Sequence, residues 1–461
     1  MKRSLAHFAG AMRGRLQGAD AAFGAVSTDS RTLAAGELFV ALAGPSFDGH
    51  DFVAAAAARG AAGAVVARPL PVAVPQIVVD DTLRALQRAA EAWRRQFAIP
   101  VVAVAGSNGK TTTKELIATV LAGRGPCHAT RGTLNNHIGV PLTLLALDER
   151  HASAVIEIGA NHPGEVAELV VLARPTVGIV TNAGAEHLEG FGSLEGVARA
   201  EGELYAGLEP GATAIINADD AFAPLWQSMS GAARRLSFGR GPGADFRVAG
   251  AVRAEGPAGQ TQRFELATPD GEVAVRLGLA GRHNVLNALG AAAAAHAAGA
   301  DLATIAAGLG RMRPVRGRLE VKAAANGACL IDDSYNANPS SLSAGLDVLG
   351  AAPGERWLVL GDMAELGAAA REAHLSAGRE ARAAGVTRLF AVGALTGDAV
   401  AEFGAGAEWF ADGAALAARV APLLRAGVTV LVKGSRLNRL ERVVDALRAT
   451  EPASPGAATG H

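Results

Sequence analysis

Eight residues, Gly106-Ser-Asn-Gly-Lys-Thr-Thr-Thr113, combine the features needed to hold a polyphosphate. An apolar run precedes them (Ile99 to Ala105) and a helical pattern follows. Gly106 and Gly109 let the backbone turn tightly, so that successive N–H groups can face one anion. The helix behind them adds its positive end. Lys110 supplies a mobile positive charge for the outer phosphates, and Thr111 a hydroxyl for a magnesium ion. Gly106, Ser107, Asn108, Gly109, Lys110, Thr111 and Thr112 are therefore the candidate nucleotide contacts. The spacing, G-x-x-G-K-T, is two residues tighter than the usual nucleotide loop, and a chance glycine turn is the competing explanation.

Three further groups fit around such a loop. Glu157 interrupts the apolar run Ala154-Val-Ile-Glu-Ile158. A charge there is buried against a salt-bridge partner or a metal ion, and the loop favours the metal. His187 follows the next apolar run, in Ala185-Glu-His-Leu188, and is a candidate for a second metal ion or a phosphate, or is simply solvated. Asn284 and Asn287 share a helix face; their amides read a base edge, or Asn284 caps the helix. Arg313, Arg316 and Arg318 stand at a proposed boundary, where an arginine reaches a transferred phosphoryl group or is a solvated charge.

The elements that must position these residues read as α/β. A first segment, 1–98, alternates short strands and helices: strands at Gly36 to Leu42, Gly63 to Ala67 and Pro75 to Val79, helices at Asp51 to Gly60 and Thr82 to Phe97. A central segment, 99–313, carries strands at Ser153 to Ile158, Val177 to Thr181 and Thr213 to Asn217 between helical stretches, which predicts a parallel, P-loop ATPase-like sheet. Within it, Ala244 to Leu279 switches to alternating strands with turns, an antiparallel addition, and a helix follows from Asn284 to Ala298. The segment 314–450 has strands at Ala328 to Ile331, Trp357 to Leu360, Arg388 to Val392 and Thr429 to Val432. Three of them end in polar or glycine turns, where parallel sheets bind ligands. The polar tail 451–461 is expected to be disordered.

Bulk composition bounds the function. The chain has 461 residues, half of them hydrophobic, and a net charge of -1. Three domains is the length prior. No basic excess and 4% aromatics argue against nucleic-acid partners. The N-terminus lacks a secretory pattern, and the alanine runs are too weakly apolar for membrane insertion. Two distant cysteines, Cys127 and Cys329, suit a reducing cytoplasm. Lysine is rare, confined to Lys2, Lys110, Lys114, Lys322 and Lys433, which singles out each one retained.

Taken together, these blocks resemble the ATP-dependent Mur ligases of bacterial cell-wall synthesis. The resemblance rests on the Gly106 loop, Asn135-Asn-His-Ile-Gly-Val-Pro141, Glu157-Ile-Gly-Ala-Asn-His162 and His283-Asn-Val-Leu-Asn287. Asp332-Asp-Ser-Tyr-Asn-Ala-Asn-Pro339 and Leu360-Gly-Asp-Met-Ala-Glu-Leu-Gly367 resemble the branch that joins D-alanyl-D-alanine to UDP-N-acetylmuramoyl-tripeptide. Asp29-Ser-Arg31 matches a UDP-sugar domain; the Asn-Pro-Arg triplet of the tripeptide-forming branch is absent, since Ser340 follows Pro339. The resemblance implies three domains: a UDP-sugar-binding α/β domain, an ATP-binding domain, and a Rossmann-like C-terminal domain.

It further implies that ATP phosphorylates the tripeptide carboxylate and that the dipeptide amine attacks the acyl phosphate. By this likeness Lys110 holds the outer phosphates, Thr111 and Glu157 one Mg2+, His187 a second, and Arg316 the moving phosphoryl group. Asn284 and Asn287 meet adenine and Asp333 the ribose. Ser30, Arg31, Asn135, Asn136, Tyr335, Asn336, Lys433 and Arg436 are implied substrate contacts, and a monomer is expected. One departure stands out. Most members carry a carbamylated lysine where this chain has Glu201, in Arg199-Ala-Glu-Gly-Glu-Leu204. A carboxylate keeps the negative charge on a side chain three atoms shorter, at about 1.3–1.5 Å per bond. Glu201 is expected to replace the carbamate near the metal; the alternatives are a surface charge beside a weak metal site, a sister ligase, or an ATP-hydrolysing switch with impaired ligation.

Overall fold

The computed structural model describes residues 3–449, so the tail expected to be disordered lies outside the described residues. Contacts group the described chain into two compact units. One takes in the residues up to Ala183, Ala198–Phe246 and Gly290–Gly308; the other Gly184–Val197, Arg247–Leu289 and the residues from Leu309 onward.

Among the described residues the first unit contains two larger sheets, besides the two-stranded pair Ala43–Gly44 and Phe47–Asp48. The smaller has five strands in the order Arg15–Gln17, Gln76–Val78, Gly63–Val66, Leu38–Val40, Val26–Ser27, parallel except for the first pair. The larger has six parallel strands in the order Arg234–Phe238, Thr213–Asn217, Val177–Val180, Val101–Ala105, Ser153–Glu157, Cys127–Ala129. Val101–Ala105 is buried at every position, as a doubly covered parallel strand requires. The order reverses around this strand, and the crevice outside its carboxyl end is where such sheets take ligands.

The first segment shares its core with the central one. Phe8, Trp93 and Phe97 belong to the same apolar cluster as Val101, Leu144 and Ile156. The helix Thr82–Arg94, capped by Asp81, fixes this packing. Trp93 Nε1 donates to Leu147 O at 3.0 Å, and the buried Arg94 guanidinium donates to Ala173 O, Phe97 O and Arg174 O. The boundary expected near residue 98 thus falls inside one contact unit.

The second unit holds a three-stranded antiparallel sheet, Arg247–Glu255, Thr261–Thr268 and Gly271–Leu277. It also holds a six-stranded sheet in the order Glu320–Ala323, Cys329–Asp333, Val428–Lys433, Glu355–Gly361, Arg388–Val392, Ala407–Phe410, antiparallel only in its first pair. The antiparallel strands, expected within the central segment, group by contact with the C-terminal one. Ala258 and Ala280 supply the link, packing in one cluster with Leu319, Ile331 and Leu346. The helix Arg282–Ala297 buries its alanine run, Ala291 to Ala295, completely. Among the described residues no helix is long and apolar enough to cross a membrane.

Candidate active site

The loop after Val101–Ala105 is shaped by its two glycines. Gly106 has φ +114°, and a Cβ there would lie 2.3 Å from Thr181 Oγ1. Gly109, at φ +80°, starts the helix Lys110–Leu121. The loop is also clamped from outside by the end of the neighbouring strand. Ser107 N donates to Asn182 O (2.9 Å), Asn108 N to Asn182 Oδ1 (3.1 Å), and Thr181 Oγ1 to Asn108 O (2.7 Å). Thr181 and Asn182 were not singled out by sequence; their position at a strand end beside the loop is the only signal. Lys110 Nζ donates to Gly106 O (2.5 Å) and Ser107 O (3.1 Å), so the ammonium lies over the loop it belongs to. Thr111 and Thr112 are buried in the first helical turn, where backbone N–H groups have no partner within the helix.

Glu157 closes the adjacent strand, paired in register with Val104, and is 1% exposed. Asn135 Nδ2 donates to its Oε1 at 2.9 Å, while Oε2 has no hydrogen-bond partner. The salt-bridge partner weighed for Glu157 is present, since Lys114 Nζ lies 3.7 Å from Oε2, yet that oxygen takes no hydrogen bond, and a carboxylate oxygen of this kind beside a phosphate loop also suits a divalent cation. Among the described residues no cluster of three or more His, Cys, Asp or Glu could hold a metal by itself.

Glu201, on the helix Leu194–Ala206, is 2% exposed, which excludes the surface-charge alternative. Its Oε2 accepts the Gly106 N–H at 2.6 Å. One turn on, the Tyr205 hydroxyl donates to Ile215 O and accepts from Val180 N, and burial raises its pKa far above the usual phenol range.

Other expected contacts in this unit are already engaged. Asn136 Oδ1 accepts from Ile138 N and Gly139 N, just ahead of the helix Gly139–Leu145. Ser30 is buried, while Arg31 is exposed and forked onto Asp29, whose carboxyl it draws down to about 2.

The remaining candidates belong to the second unit. His187, at φ +47°, points Nδ1 at Glu365 Oε2 (2.8 Å). Asn284 Nδ2 donates to Ala280 O (2.7 Å) and Asn287 Nδ2 to Asn284 Oδ1 (3.1 Å), so the two amides form one buried array. Asp333 closes the strand Cys329–Asp333; burial raises its pKa against the opposing pull of Lys433. Lys433 is 1% exposed and its Nζ meets Asp333 Oδ2 (2.5 Å) and Asn336 O (3.0 Å). The expectation that Lys433 reaches substrate therefore meets a buried ion pair instead. Beside it His283 is half-buried, and desolvation together with the Lys433 charge lowers its pKa to about 4. Arg318 stacks over the Tyr335 ring at 4.4 Å and Arg436 lies 6.0 Å from the same ring. Arg316 is exposed, with Asp445 at 3.7 Å.

Comparison with known proteins matches three family models to the chain: the Mur ligase family catalytic domain over residues 23–94, the Mur ligase middle domain over 104–295, and the Mur ligase glutamate ligase domain over 317–436. The chain is 46% identical to the UDP-N-acetylmuramoyl-tripeptide–D-alanyl-D-alanine ligase of Escherichia coli K12, covering 95% of this chain and 96% of that one. The enzyme of the same name from Synechocystis is 39% identical, with 93% of each chain covered. Among solved structures, MurF from Acinetobacter baumannii superposes with a TM-score of 0.90 at 35% identity, over 96% of this chain and 98% of that one. MurF ligase from Thermotoga maritima in complex with ADP gives 0.79 at 26% identity, over 92% and 96%.

Proposed function

From the premise that this chain belongs to the Mur ligase family, we infer that it joins D-alanyl-D-alanine to UDP-N-acetylmuramoyl-tripeptide at the expense of ATP. The end-to-end likeness to ligases of that name carries this reading. ADP in the Thermotoga structure supports the choice of nucleotide. Residues 1–98 would take the UDP end of the substrate, 99–313 the ATP, and 314–450 the incoming dipeptide. No membrane insertion is invoked, two cysteines that form no disulfide accord with a cytoplasmic enzyme, and a monomer is the proposed state.

The chemistry is amide formation from a carboxylate, which has no leaving group of its own. An oxygen of the tripeptide's terminal carboxylate takes the γ-phosphoryl group, and ADP departs. The free amine of D-alanyl-D-alanine then attacks the acyl carbon. The tetrahedral adduct loses inorganic phosphate and a proton, leaving the amide. Lys110 and the first turn of its helix would hold the outer phosphates, and Arg316 would meet the charge on the moving group. Glu157 and Thr111 are the residues that fit Mg2+, and His187 and Glu201 are separate candidates for a second ion, each in its own unit; a bound metal would neutralise phosphate charge. Asn284, Asn287 and Asp333 would orient the nucleoside. Asn135 and Asn136 would meet the tripeptide, and Tyr335, Asn336 and Arg436 the carboxylates. Lys433 would act through Asp333.

A coupled assay of phosphate release tests the reading. Release should require the UDP-tripeptide and D-alanyl-D-alanine together. Equal release from ATP alone would make the protein a hydrolytic switch and overturn it.

A further inference from the structure

Lys114 is one of five lysines in the chain, and the chemistry above does not use it. It lies on the helix Lys110–Leu121 and is 0% exposed. Its Nζ donates to Thr130 O at 2.7 Å and lies 3.4 Å from Gly132 O. Glu115 Oε1 is 2.9 Å away. On another side is Glu157 Oε2, 3.7 Å away, the oxygen that has no hydrogen bond. The same stretch of chain holds Glu157 from two more directions. Thr130 Oγ1 accepts from Glu157 N (2.9 Å), and Asn135 Nδ2 donates to Glu157 Oε1.

We propose that Lys114 is a positioning residue: a fixed countercharge that sets Glu157 and ties the 130–135 loop to the phosphate-loop helix, so that the carboxylate accepts a divalent cation only when nucleotide brings it. This rests on the reading of Glu157 as the metal-holding carboxylate. A buried ammonium 3.7 Å from the open oxygen repels a bare dication at short range, in a medium that screens poorly. A cation arriving with a triphosphate carries an excess of negative charge, and the repulsion is offset. At the same time the two carbonyl contacts hold Asn135 where it fixes the other carboxylate oxygen. Lys114 thus links the loop implied in tripeptide contact to the helix implied in ATP contact, without touching either ligand.

The test is Mn2+ binding to the full chain without nucleotide, read by electron paramagnetic resonance, in wild type, Lys114→Met and Lys114→Gln. Lys114→Met removes both the charge and the tether; Lys114→Gln removes the charge and keeps an N–H donor. Both should bind free Mn2+ at least ten-fold more tightly than wild type, and Lys114→Met should also raise KM for the UDP-tripeptide more than it lowers kcat. Unchanged free-Mn2+ affinity in the folded variants overturns the proposal. Should Lys114→Met not fold, Lys114→Gln and wild type alone decide it. Glu157→Gln separates the two levels. If it leaves Mn2+–nucleotide binding intact, the metal reading of Glu157 fails; if it abolishes that binding while the Lys114 variants match wild type, only the present inference fails.

Discussion

Two buried carboxylates flank the phosphate loop, and they do different things to it. Glu157 keeps one oxygen open, whereas Glu201 spends one on the Gly106 N–H. A charge-assisted bond of that kind contributes about 1.5–3 kcal/mol. Glu201→Ala should therefore lower kcat/KM for ATP by about 10–100-fold and move the magnesium dependence to higher concentration. Glu201→Gln, which retains an acceptor, should restore the loop but not the charge. Turnover and magnesium titrations that match wild type in Glu201→Ala would show that the carboxylate has no such part. Gly106→Ala places a methyl group 2.3 Å from Thr181 Oγ1 at φ +114°. It should abolish nucleotide binding in a calorimetric titration and cost about 1–3 kcal/mol of stability. Glu201 itself was visible in the sequence as an anion inside a familiar motif. Its partner was not, because residues 95 apart share no periodicity that names the backbone donor they meet.

At the scale of elements, what was legible followed from burial. Thr213–Asn217 and Arg388–Val392 fall where the apolar, β-branched runs place them, since interior strands covered on both faces write their own signature. Arg15–Gln17, Val26–Ser27, Cys127–Ala129 and Ala407–Phe410 are short strands at sheet edges, defined by the neighbour they pair with, and no run in the sequence marks them. The helix Thr82–Arg94 was legible as amphipathic, but not the fact that its Trp93 would dock on the central segment through Leu147 O. Trp93→Ala should cost about 3–5 kcal/mol in denaturant unfolding. A loss below 1 kcal/mol would mean the first segment does not depend on that packing. The helix Arg282–Ala297 carries His283, whose pKa of about 4 in the folded chain lies below the ordinary 6.5. Above pH 6.5 neither folded nor unfolded chain binds this proton. As pH falls from 6.5 to 4 the unfolded chain takes it up and the folded chain refuses it, so up to roughly 3 kcal/mol of stability is lost. His283→Gln should flatten the stability profile over that window; an unchanged slope would assign it to other groups.

For the whole molecule, the sequence motifs are spread over both compact units. The phosphate loop, Glu157 and Glu201 belong to one, and Arg316, Asn284, Asp333 and Arg436 to the other. The nucleotide candidates alone draw on both sets, so the division of motifs does not separate a hydrolase from a ligase; the fate of the acyl group does. The measurement that separates these is the fate of an 18O label placed in the terminal carboxylate of UDP-N-acetylmuramoyl-tripeptide. With ATP, Mg2+ and D-alanyl-D-alanine present, one labelled oxygen should appear in each phosphate released, and the joined product should retain the other. Phosphate released without label would contradict phosphoryl transfer to the carboxylate, and with it the account given for every residue around the loop.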